Sequence, residues 1–150
     1  MTTAELNRPA LGSRQMTTFR LAGHLFGVEV EAVQEVIRYQ EMRRVPLAPP
    51  TVGGLINLRG QVITAVDLRA RLALPDRDDG DLPMNVVVRT TEAAVSLLVD
   101  AIGAVIDADE ALFEPPPDTL LGPARELIRG AYKLENELLL ALDVAKAIQV

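Results

Sequence analysis

The chain has 150 residues, 49% of them hydrophobic but only 3% aromatic, with no Cys, no Trp and a formal charge of -6 at pH 7. These values exclude a disordered chain, a disulfide scaffold, a thiolate metal site and a Cys nucleophile. They also argue against a nucleic-acid surface, which takes a basic stripe, since Arg43-Arg44 is the only adjacent basic pair. The core must be built from Leu, Val, Ile and Ala, in one domain or in two small barrels that share apolar surface.

Residues 1–15, with Pro9 and Gly12, read as a flexible N-terminal tail without the apolar stretch of a secretory signal. No segment reaches the roughly 20 apolar residues that span a bilayer, so the cytoplasm is the default location. Order is expected from Met16. Phe19–Ala22 reads as a strand leading to a turn at Gly23-His24, and Phe26–Val30 as its return. The segment holding Val33, Val36 and Ile37 fits a strand or a short helix equally well. Three prolines make Val45–Pro50 a rigid connection. Gly53-Gly54 precedes Leu55–Gly60, and Gln61–Val66 is a strand. Asp67 is placed to cap a helix over 68–74 that Pro75 ends. Asp76–Asp81 reads as a solvated loop without the terminal Glu of a calcium loop.

The second half repeats this plan. Strands are expected at Asn85–Arg89 and Ala94–Val99, with Asp100–Ile106 following. Glu114–Pro117 is a second rigid connector, Leu127–Gly130 a turn and Leu138–Leu142 a strand, and Asp143 caps a closing helix over 144–148. Phe26–Ile37 matches Val95–Ile106 at an offset of 69. Leu58-Arg59-Gly60 matches Ile128-Arg129-Gly130 at an offset of 70, and Val62–Leu68 matches Leu138–Val144 at 76. Three blocks in the same order point to an internal duplication giving two small β-barrels.

Candidate chemistry is sparse. His24, the single histidine, falls at a turn; there is no zinc cluster and no Gly-rich phosphate loop, so no cofactor is expected. Asp67 and Asp143 have the simpler work of capping helices. A duplicated β protein without catalytic groups acts through its surfaces. Glu35 sits between small apolar residues and its repeat partner is Ala104, so the fold does not demand its charge. Arg59, in a turn, suits either a backbone brace or a bidentate carboxylate contact. Ile56, Val62 and Leu98 face either a barrel core or a groove fit for an apolar helix face.

In order and spacing, Val33-Gln34-Glu35-Val36-Ile37, Val45-Pro46 with Pro49, Gly54–Ile63 and Val66-Asp67-Leu68-Arg69 resemble the CheW-like domain family. The second half agrees through Leu97–Asp100, the prolines at 115–117, Arg129-Gly130 and Leu142-Asp143, so the resemblance covers about residues 16–150. It implies an all-β fold of two intertwined, SH3-like, five-stranded barrels with short helices. It also implies a non-enzymatic adaptor that couples methyl-accepting chemoreceptors to the histidine kinase CheA in arrays beneath the membrane. Val33, Glu35 and Val36 would face the kinase's regulatory domain. Arg59, Ile56, Val62 and Leu98 would couple to the receptor's cytoplasmic hairpin tip. A coupling protein of a related pili or developmental array, or a regulatory module of a larger signalling protein, is the alternative. Thr64 stands where the family usually has Pro, and Ser96 where it usually has Gly.

Overall fold

The computed structural model describes residues 12–149. Strand β1 (Ser13–Leu21) begins inside the expected tail, because its first residues pair with β8; residues 1–11 of that tail lie outside the described residues. Then come β2 (His24–Glu29), a 3₁₀ turn (Val30–Ala32), β3 (Val33–Ile37), β4 (Val52–Leu58), β5 (Gln61–Asp67) and helix α1 (Leu68–Arg71). The second half holds β6 (Met84–Arg89), β7 (Ala94–Val99), β8 (Ala101–Asp109), a 3₁₀ turn (Glu110–Leu112), β9 (Phe113–Glu114), α2 (Pro123–Leu127), β10 (Ile128–Lys133), β11 (Leu138–Leu142) and α3 (Val144–Ala147). The segment left open between strand and helix is therefore strand. Both capped helices are shorter than their apolar pattern suggests.

The strands form two sheets, β3-β6-β7-β5-β4 and β8-β1-β2-β11-β10-β9. Matching these orders position by position aligns β6-β7 with β1-β2, β3 with β8, β5 with β11 and β4 with β10. Each sheet thus takes its central hairpin from one sequence repeat and its other strands from the other repeat. The seams are the parallel pairs β5–β7 and β2–β11. The duplication extends to backbone detail. Asp67 N donates to Thr51 O and Asp143 N to Leu127 O, both at 2.8 Å and 76 residues apart. The isolated bridge Arg43–Leu55 in the first sheet has its counterpart in β9 pairing β10, so five strands become six.

One repeat match does not survive. Arg129-Gly130 is not a turn but part of β10, at a bulge opposite Leu142 and Ala141. Gly130 lies against Phe113 and Glu114 so closely that a Cβ there would clash with both. The chain instead turns between Lys133 and Leu138, which are paired. Helix α2 was not anticipated either; its sequence signal is Pro123 in the first turn after Gly122 at φ +63°.

Period-two alternation sorts the apolar side chains into three layers. Ile56, Ile63, Ala65, Val87 and Leu98 fill the first barrel. Met16, Leu25, Ala108, Tyr132, Leu139 and Ala141 fill the second. The opposite faces of the same strands, including Phe19, Phe26, Val66, Val86, Val88, Leu97, Val99, Leu140 and Leu142, meet in a shared central cluster. This explains the unbroken apolar runs Val86-Val87-Val88, Leu97-Leu98-Val99 and Leu139–Leu142: these residues are buried on both sides of their strands. The helices cover the ends. Asp67 Oδ1 accepts from Arg69 N (3.0 Å) and Ala70 N (3.3 Å), and Asp143 Oδ1 from Lys146 N (3.1 Å). Ser96, in the family's usual Gly position, is buried but satisfied: its hydroxyl donates to Asn85 Oδ1 at 2.7 Å, and Asn85 Nδ2 donates to Arg38 O at 3.1 Å.

Because the central cluster belongs to both barrels, they are expected to unfold together. Leu97→Ala, at a fully buried position, should cost about 3 kcal/mol and still give a single urea transition by circular dichroism and by a probe in either barrel. Two separated transitions would contradict the shared core.

Candidate functional site

The site is built where β3, an edge strand, runs beside the β4–β5 hairpin at one end of the first barrel. Leu58 pairs with Gln61, leaving Arg59-Gly60 as a two-residue turn. Both residues have positive φ, +51° and +84°, the mark of the type I′ turn that matches strand twist. Gly adopts that conformation freely, whereas Arg does so at a cost. Asn57 Oδ1 offsets part of it by accepting from Gly60 N at 3.1 Å. The backbone thereby aims the Arg59 side chain across the barrel end toward β3.

There Arg59 Nη1 donates to Glu35 Oε2 at 2.6 Å. Two residues that the sequence assigned to separate groups are therefore one clasp. The Arg59 side chain is 72% exposed and that of Glu35 19%, so the cation forms the outer surface and the carboxylate lies beneath it. Glu35 Oε1 is buried without a hydrogen-bond partner. The hydrogen bond from Arg59 holds the Glu35 carboxyl below its usual value despite the opposing effect of burial. Next to it, Gln34 is the extra residue of a bulge between Val33 and Glu35. Arg89 fixes it by donating to Gln34 Oε1 from Nη2 at 2.8 Å.

The apolar candidates divide. Val36, next to Glu35 on β3, is 43% exposed, and Val62, two residues beyond Gly60 on β5, is 67% exposed. Val33 is half-buried and packs against the central cluster. Ile56 at 1% and Leu98 at 3% exposure belong to the first barrel's interior. They do not present a contact face, because period-two alternation along β4 and β7 turns them inward. Between the barrels, Leu97, Val99 and their neighbours pack as the buried central cluster. One open depression lies beside β4, lined by Gln40, Met42, Arg43, Leu55, Ile56 and Val62, and another lies along the proline-rich connection from Arg44 to Pro50. His24 is exposed at the start of β2. Among the described residues no group of three or more His, Cys, Asp or Glu is placed to hold a metal ion, and no helix is long and apolar enough to cross a membrane.

Sequence reasoning missed Asp100. Its carboxylate accepts from Arg69 Nε (3.0 Å) and Nη2 (2.5 Å), from Arg77 Nε (3.1 Å) and from Ala22 N (2.8 Å). Burial pushes its carboxyl up, but these donors hold it below its usual value. The loop containing Arg77 is thus pinned at one point rather than freely solvated. The three partners lie 78, 31 and 23 residues from Asp100 in sequence, and the only local signal is an Asp ending an apolar strand.

The family model for the CheW-like domain matches residues 15–150. The chemotaxis protein CheW of Bacillus subtilis is 31% identical over 129 residues, covering 86% of this chain and 83% of that protein. The chemotaxis protein CheW of Treponema pallidum is 29% identical, over 88% of this chain and 80% of that one. The crystal structure of the scaffolding protein TtCheW from Thermoanaerobacter tengcongensis superposes with a TM-score of 0.82 at 27% identity, covering 92% of this chain and 94% of that one.

The clasp generates a pH prediction. A carboxyl lowered in the folded state contributes stability above its unfolded value, near 4.5, and loses it as pH falls through the folded value. The stability difference between wild type and Glu35→Gln should be constant at neutral pH and shrink only below about pH 4.5. Thermal melts from pH 7 to 3 test this; a difference that grows on acidification would contradict it. Gly60→Ala should lower stability by about 1 kcal/mol, because alanine must then hold a left-handed backbone.

Proposed function

The chain belongs to the CheW-like domain family, and on that premise we propose that it is a non-enzymatic coupling scaffold joining chemoreceptors to the histidine kinase CheA in cytoplasmic arrays. The observation that carries this reading is the exposed end of the first barrel. There the Arg59–Glu35 clasp joins the edge strand β3 to the β4–β5 turn, and each of these elements carries an exposed apolar side chain close to the clasp in sequence, Val36 on β3 and Val62 on β5. Such a surface suits a folded protein partner: apolar side chains supply contact area and the clasp supplies orientation.

In this reading Glu35 and Val36 face the kinase's regulatory domain, with Val33 supporting β3 from within. Arg59 and Val62 face the receptor hairpin, while Ile56 and Leu98 shape the wall beneath them. The Arg59–Glu35 bond then lies between the docking regions, so each partner meets one end of the same ion pair. The scaffold moves no atoms between molecules. It holds the kinase where receptor state biases its autophosphorylation, and two docking regions on one rigid body raise each partner's effective concentration at the other.

Titration of the full chain with the kinase's regulatory domain, then with a receptor hairpin, tests the assignment. Saturable binding to both is expected; binding to neither would overturn it. Glu35→Lys should weaken the kinase domain at least tenfold while the circular dichroism spectrum is kept, and unchanged affinity would remove Glu35 from that contact. Val62→Asp should weaken the hairpin and spare the kinase domain.

A further inference from the structure

The two sequence halves are joined by one covalent link, residues 72–83, which contains no strand or helix. All else described that unites them is non-covalent: the shared central cluster, side-chain bonds and strand pairing. β1 lies on β8, β2 on β11, β3 on β6 and β5 on β7, and every one of these pairs joins residues before the link to residues after it. Neither half holds a complete sheet. A second copy of the chain offers the same partner strands in the same registers, so exchange would preserve those pairings and alter only the course of the link.

The link has the features of a hinge held shut. Ala73 has a left-handed backbone at φ +55°, a strained conformation for a non-glycine residue, and Gly80 is at φ +90°. Leu82 is 61% exposed. Arg69 Nη1 donates to Pro75 O at 2.8 Å, and Arg77 reaches from the link to Asp100. These contacts differ in what exchange would do to them. Arg69–Asp100 joins the two halves and re-forms between chains. Arg77–Asp100 ties the link to the body and depends on the folded-back link.

We propose that the chain exchanges halves with a second copy of itself through the 72–83 link, and that Arg77 is the latch favouring the closed monomer. The partner is identified by complementarity alone: only a chain with this duplicated strand pattern supplies the missing strands of both sheets. Each body of the exchanged dimer keeps Glu35 and Arg59 together, since both precede the link, so the dimer carries two copies of the candidate site.

The test mixes isotopically heavy and light full-length chains carrying a protease site within residues 76–81. They are warmed through the melting transition at high concentration and cooled, and monomer and dimer are then separated and cut. Native mass spectrometry should show the cut dimer falling into monomer-sized bodies, many with one heavy and one light half, while the cut monomer gives unmixed bodies. A dimer that stays whole after cutting, a dimer yielding only unmixed bodies, or no dimer at all would overturn the exchange. Arg77→Ala should raise the dimer fraction severalfold; a fraction equal to the parent's would overturn the latch. If that variant does not fold, the parent chain alone decides the exchange.

Discussion

Every part of the molecule depends on two parallel strand contacts, β5 beside β7 and β2 beside β11. These are the seams at which one repeat lends its hairpin to the other. Parallel pairs require a long connection, and here that connection is supplied by the remainder of each barrel. The exchange also answers the problem of size. A repeat of about 70 residues closing on itself would have a small core. Interleaving the repeats buries both faces of the central strands and produces the shared cluster of Phe19, Phe26, Val86, Leu97 and Leu140.

That rigidity is what makes the clasp usable. A lone exposed ion pair contributes little to stability, and the Arg59–Glu35 pair serves better as a fixed orientation than as a brace. Its geometry rests on three backbone constraints: the Arg59-Gly60 turn, the Gln34 bulge on β3, and the pairing of β3 with β6 from the other repeat. The side chains at the barrel end are therefore placed by the interleaved fold, although Glu35 and Arg59 themselves both come from the first repeat.

The sequence revealed the all-β character, the duplication and most strands, because alternation and turn residues are local signals. Offsets of 69 and 76 appear in space as superimposable strand orders and as the matched Asp67 and Asp143 bonds. The exchange of hairpins was not legible, since an alignment of repeats is silent on which copy each strand joins. Arg129-Gly130 misled because the same dipeptide fits a turn in one repeat and a bulge in the other. Leu98 was ambiguous because β7 is buried on both faces and shows no polar side to tell core from surface, and Ile56 because its neighbours Leu55 and Leu58 are apolar as well. The Glu35–Arg59 bond and the Asp100 cluster arise from residues 23 or more apart, brought together only by the fold.

The position of β11 beside β2 has a consequence for synthesis. Leu25 waits for Leu139, and Arg20 waits for Glu137. At a translation rate of about 5–20 residues per second, the first hairpin spends many seconds outside the ribosome with its neighbouring strands not yet made. Neither sheet closes when the first repeat is complete, and the second closes only once β11 has emerged. The nascent chain therefore displays open strand edges until β11 emerges, a period in which chaperones have apolar sequence to hold. A ribosome stalled short of β11 leaves behind not a smaller folded domain but a chain with no finished second sheet.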